Sequence, residues 1–220
     1  MCDARLFRVQ ADALSMTRPV QISPVSGADS VRDLAALVLA GAPERFALVG
    51  ASLGGMVAIE VLRRAPDRVT RLALIATDAL SEQPGIAADR DLMITRARAG
   101  RLPDAMDEAV PGDALAPGPG RAGVRDQMME MARDAGVDQF QRQSRALQRR
   151  PDQQGTLRRV AVPAMAICGL HDRIFPPRRH QLMADLMPNA IAVGLEEAGH
   201  LPTLEQPGQV CAALDHWLAM

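Results

Sequence analysis

The spacing of apolar and polar positions changes several times along this chain, and the changes mark its elements. Residues 3–16 carry Leu6, Val9, Gln10 and Ala13 in rough helical register, which predicts a helix. Val20–Val25 predicts a short strand. Asp29 or Ser30 can cap a helix running to about Ala40, in which Val31, Leu34, Leu37 and Val38 recur at helical spacing. Arg45–Ala51 is a short apolar run and predicts a strand, followed by a helix over Leu53–Ala65 that stops at Pro66. Val69–Ala76 is nearly continuous in apolar character, as a parallel strand covered on both faces should be.

From about Leu80 to Arg150 strand character disappears. Helical periodicity is present near Asp89–Arg98, Pro103–Val110 and Gly123–Arg149, and the prolines and glycines of Pro111–Gly120 predict a loop. Alternation then returns, with a strand at Ala164–Cys168, a helix near Pro177–Met187, a strand at Ala190–Leu195 and a final helix over about Pro207–Leu218. The pattern predicts an α/β domain on a mostly parallel, doubly wound sheet, formed by residues 1–79 and 151–220. A helical insertion at 80–150 interrupts it.

Composition narrows the function classes. The 220 residues suit one domain with a substantial core. A net charge of -1, four Phe, one Trp and no Tyr argue against nucleic acid or an anionic membrane surface as partner. Cys2, Cys168 and Cys211 are odd in number and widely separated, so neither a disulfide framework nor a metal cluster is expected. Cys168, in a predicted buried strand, reads as a core residue. No secretion signal is apparent and no apolar run reaches about 18 residues, so the expected location is cytoplasmic.

The candidate chemistry sits where Gly50-Ala51-Ser52-Leu53-Gly54-Gly55 ends one strand and opens a helix. Small residues on both sides permit a tight turn that presents Ser52 as a nucleophile. Gly50 and Gly54 are expected to let neighbouring backbone pack close. The helix N-terminus would favour a developing oxyanion through its dipole. A serine hydroxyl needs a base to take its proton, and the base needs an orienting acid. On a doubly wound sheet these partners should lie at the carboxyl ends of later strands. Gly169-Leu170-His171-Asp172 and Glu196-Glu197-Ala198-Gly199-His200-Leu201 occupy such places. Asp172 is the candidate acid and His200 the candidate base. Asp78, just after the Val69–Ala76 strand, is the rival acid. His171 is read as a bystander, and His180 and His216, in predicted helices, as surface residues. Glu196, Glu197 and the Arg142–Arg150 stretch are read as solvated charges.

These motifs, together with Gly199-His200-Leu201-Pro202-Thr203-Leu204-Glu205-Gln206-Pro207, resemble the α/β-hydrolase superfamily over essentially the whole chain. The resemblance implies a hydrolase without cofactor or metal, acting on a small-molecule acyl substrate, with residues 80–150 as a helical cap. A serine nucleophile points to esters, thioesters, lactones, C–C bonds beside a carbonyl, or peroxyacid formation. The leading expectation is hydrolysis of a small carboxylic ester. The resemblance also implies two backbone oxyanion donors, the Leu53 N–H just after the nucleophile and a second from a Gly-containing turn after an early strand. Met1-Cys2-Asp3-Ala4-Arg5-Leu6-Phe7 looks like the segment just after that turn, with the Met1 or Cys2 N–H as substitute donor. A shortened N-terminus is therefore expected, with an unpaired edge on the Arg45–Ala51 strand. An impaired scaffold that binds a small molecule or protein is the alternative function, and a homodimer is the assembly such an edge favours.

Overall fold

The computed structural model describes residues 1–220. A 3-10 turn at Ala4–Phe7 opens the chain, its first amides capped where Asp3 accepts from the Arg5 N–H at 2.9 Å. The elements then run α1 (Arg8–Ser15), α2 (Val31–Gly41), β1 (Phe46–Ala51), α3 (Leu53–Arg64) and β2 (Val69–Ile75). Helices α4 (Pro84–Arg98), α5 (Leu102–Ala109) and α6 (Arg121–Gln148) follow with no strand between them. The chain closes with α7 (Gln154–Leu157), β3 (Ala164–Gly169), α8 (Pro177–Leu186), β4 (Ala190–Leu195), α9 (Pro202–Glu205) and α10 (Pro207–Ala219).

The strands form one four-stranded sheet, all parallel, in the order β1-β2-β3-β4. Period-two alternation splits each strand between two layers. Leu72, Leu74, Ala164 and Ala166 pack with Leu34 of α2, Ile59 and Val61 of α3 and Met183 of α8. Ala73, Ile75, Met165 and Ile167 pack with Val210, Leu214 and Trp217 of α10. All of β3 is buried, which is why its sequence is an unbroken apolar run. Full burial of Leu72 or Leu74 stabilises the fold by about 1.5–3 kcal/mol each. β1 is the edge of the sheet, hydrogen-bonded only to β2, and Ala47 on it is exposed.

Several elements depart from the sequence pattern. Val20–Val25 is not a strand. Pro19 and Pro24 cannot donate to a ladder, and Val20 and Ile22 are each 40% exposed. The segment is fixed instead by Gln139 and Gln143, whose side chains donate to the Val25 carbonyl at 3.0 and 2.8 Å. In α1 the buried residue is Gln10, which donates to the Thr203 carbonyl at 3.1 Å, while Val9 and Ala13 are exposed. α4 starts at Pro84, where a missing N–H costs nothing. α6 is two helical arms meeting at Gly136, whose φ of 78° suits glycine.

The helical insertion has its own apolar cluster, including Met93, Met106, Met128 and Phe140, and Leu201 from the sheet domain enters it. Within the predicted loop, Ala114, Leu115 and Ala116 are buried. No helix is long and apolar enough to cross a membrane.

Candidate active site

β1 and α3 meet at Ser52, whose φ of 50° and ψ of -120° are strained for an L residue. The surroundings hold it there. The Ser52 N–H donates to the Ile75 carbonyl at 2.9 Å, and the Thr77 hydroxyl donates to the Ser52 carbonyl at 2.7 Å. A Cβ on Gly50 would lie 2.3 Å from the Gly54 carbonyl oxygen, and one on Gly55 would lie 2.6 Å from the Thr77 side chain. A Cβ on Gly54 would meet only Val25 Cγ2, at an ordinary 3.7 Å. The close approaches therefore belong to Gly50 and Gly55, not to Gly50 and Gly54. Leu53 is the first residue of α3, and the Ser52 side chain does not cap the helix. Its N–H has no acceptor within the helix and is free to serve a ligand.

The carboxyl ends of β3 and β4 bring two more residues to Ser52. His200 Nε2 lies 3.2 Å from Ser52 Oγ. His200 Nδ1 lies 3.0 Å from Asp172 Oδ2. The partners assign the tautomer: Nδ1–H donates to the carboxylate, and the Nε2 lone pair faces the hydroxyl. Asp172 Oδ1 accepts from the amides of Ile174 at 2.8 Å and Phe175 at 3.0 Å. Three donors thus converge on a carboxylate that is 3% exposed, the condition for burying an anion at tolerable cost. The Phe175 ring packs against the imidazole, centroid to centroid 5.7 Å.

The two loops are nested backbone to backbone. The His171 N–H donates to the Ala198 carbonyl at 3.0 Å. A Cβ on Gly169 would lie 2.3 Å from the Ala198 and Gly199 carbonyl oxygens. The His200 N–H donates to the Ala114 carbonyl at 2.8 Å, which places the insertion directly over the histidine loop.

The rival acid stands elsewhere. Asp78 accepts from the Leu80 N–H at 2.8 Å and pairs with Arg179 at 3.3 Å, without contacting His200. His171, His216, Glu196 and Glu197 are exposed. His180 is not at the surface; it is fully buried. Its Nε2 accepts from the Thr77 N–H at 3.0 Å, so it braces the residue that braces Ser52. Burial pushes its pKa down to about 4, which keeps it neutral. The sequence held a signal for this: His180 shares one helix face with Met183 and Ala184, both buried. Thr77 carried no comparable signal.

Cys168 is 4% exposed, and burial pushes its thiol up to about 11, as for an inert core residue. No three His, Cys, Asp or Glu side chains converge to hold a metal ion. A polar cleft of about 410 Å³, lined by Arg32, Glu60, Arg63, Arg149 and Arg159 among others, includes none of the residues around Ser52.

Comparison with known proteins agrees with this architecture. The sequence pattern of the alpha/beta hydrolase family matches residues 7–214. A pimeloyl-[acyl-carrier protein] methyl ester esterase of Pectobacterium carotovorum subsp. carotovorum (strain PC1) is 29% identical over 195 residues, 82% of this chain and 73% of that protein. A protein of the same name from Methylococcus capsulatus is 30% identical over 201 residues, 88% of this chain and 78% of that one. Among solved structures, a thermophilic esterase from Thermogutta terrifontis superposes with a TM-score of 0.87 at 25% identity, covering 99% of this chain and 86% of its own. The enol-lactonase from Burkholderia xenovorans LB400 shares the fold, with a TM-score of 0.80 at 22% identity over 100% of this chain and 88% of its own. With its parallel sheet, its strained serine between β1 and α3 and its match over nearly the full length, the chain belongs to the alpha/beta hydrolase family.

Proposed function

We propose that this protein hydrolyses carboxylic esters through an acyl-enzyme on Ser52. The observation that carries the reading is the unbroken hydrogen-bonded line from Ser52 Oγ through His200 to Asp172, with gaps of 3.2 and 3.0 Å. In the first half-reaction Ser52 Oγ bonds to the acyl carbon while its proton passes to His200 Nε2. Asp172 stabilises the resulting imidazolium and fixes its orientation. The tetrahedral oxyanion finds the Leu53 N–H at the α3 N-terminus, where the helix dipole also favours negative charge. Collapse breaks the ester C–O bond, and His200 returns the proton to the departing alcohol. Water then repeats the sequence on the acyl-enzyme, releasing the acid and restoring Ser52.

The names of the two sequence relatives, both methyl ester esterases acting on an acyl chain held by a carrier protein, support acyl methyl esters as the first substrate class to test. The direct test is turnover of p-nitrophenyl acetate and butyrate, and of acyl methyl esters, by wild type and Ser52→Ala. A loss of about 10³-fold or more is expected. Equal rates would reject the reading. A fluorophosphonate that labels Ser52 would count against a purely binding role.

A further inference from the structure

The geometry points to Glu205 as a positioning residue for His200, one that ties the histidine loop to the helical insertion. The inference rests on reading His200 as the base. Glu205 closes the four-residue α9 and forms no ion pair with any Arg or His. Its carboxylate instead collects three backbone amides. Oε1 accepts from the Leu201 N–H at 2.8 Å. Oε2 accepts from the Gly199 N–H at 2.9 Å and the Ala116 N–H at 2.6 Å. Gly199 and Leu201 flank His200, so one anion holds the amide N–H of the residue on each side of the histidine. Ala116 belongs to the insertion. Two residues earlier, the Ala114 carbonyl accepts from the His200 N–H at 2.8 Å. A Cβ at Gly199 would lie 2.2 Å from that same oxygen, so the two backbones are in direct contact.

A carboxylate that served only the core would resemble Glu60, which takes Arg63 at 2.6 Å and Gln153 at 2.8 Å. Glu205 takes only amides, and all three belong to the histidine loop or to the insertion lying over it. Hydrogen bonds to an anion are shorter and about twice as strong as neutral ones. Together they fix where the imidazole sits relative to Ser52 Oγ. A misplacement of about 1 Å costs on the order of 10² in rate.

The test is Glu205→Gln. Its NH2 group must face at least one backbone N–H whichever way the amide turns. Expected are a drop in kcat of about 10²-fold on p-nitrophenyl butyrate, with KM changed by less than about threefold, since substrate binding is untouched. Glu205→Asp, charged but shorter, should recover part of kcat. Glu60→Gln is the comparison: it loses thermal stability but keeps kcat per folded molecule. Active-site titration with a fluorophosphonate normalises each rate to folded protein. The backbone amide protons of Gly199, Leu201 and Ala116 should move upfield in Glu205→Gln, whatever the activity. Wild-type kcat in Glu205→Gln after normalisation, or unmoved amide resonances, would overturn the inference while leaving the ester-hydrolase reading intact. Absence of any Ser52-dependent turnover in wild type would overturn that reading, and the resonances would still test the clamp.

Discussion

Two buried aspartates lie near the end of the sheet, and their partners differ. Asp172 receives the Nδ1 proton of His200, whereas Asp78 receives Arg179 and a backbone amide. Asp172→Asn should place an NH2 against Nδ1, favour the wrong tautomer and lower kcat by about 10⁴-fold, as in the serine-protease precedent. Asp78→Asn should lower thermal stability and leave kcat nearly unchanged; steady-state kinetics on the two variants decides it. His180 gives a pH prediction. Its folded pKa is depressed to about 4 by burial. Between about pH 6.5 and 4 the unfolded chain takes up a proton that the folded chain refuses. The stability that His180 contributes in its neutral form is complete above that window. It falls as pH falls, by about 1.4 kcal/mol per unit, and stops changing once both states are protonated. Denaturation at pH 7 and pH 5 should show this slope, and His180→Gln should remove it.

At the scale of the element, the β1–α3 turn separates two glycines that look alike in the sequence. Gly50→Ala drives a methyl to 2.3 Å from backbone that cannot swing aside, and should cost about 3 kcal/mol or more. Gly54→Ala has room and sits in the first turn of a helix, where alanine gains up to about 1 kcal/mol over glycine. Thermal denaturation of the two variants should therefore shift in opposite directions. Short apolar runs made the strands legible, and the spacing of Ser52, Asp172 and His200 after those runs made the candidate site legible. Less legible were features that depend on a partner distant in the chain. The Val20–Val25 segment has the composition of a strand, but Pro19 before it, Pro24 within it and the glutamines of α6 decide its path. Nothing local reveals that Glu205 meets Ala116, 89 positions away.

Across the whole molecule, protection is expected to be graded along the sheet. β3 has a hydrogen-bonded neighbour on each side and is buried throughout, while β1 has only β2. The Ser52 N–H points toward β2. By strand alternation the amides of Leu48 and Gly50 do so too, and those of Ala47 and Val49 point toward the open edge. Amide hydrogen exchange should find Ala47 and Val49 fast, Leu48 and Gly50 slower, and the β3 amides slow enough to report global unfolding.

The contact of Gly199 with the Ala114 carbonyl bears on how far this architecture is modular. Exchanging helices between related enzymes is an obvious way to transplant selectivity, and residues 80–150 invite it. A graft that replaced Ala114–Ala116 would import a foreign backbone path against a glycine with no room to yield. It would also strip Glu205 and His200 of partners. A workable chimera would join within Gly118–Gly120 on one side and before Gly112 on the other, so that recipient and donor never meet at the histidine.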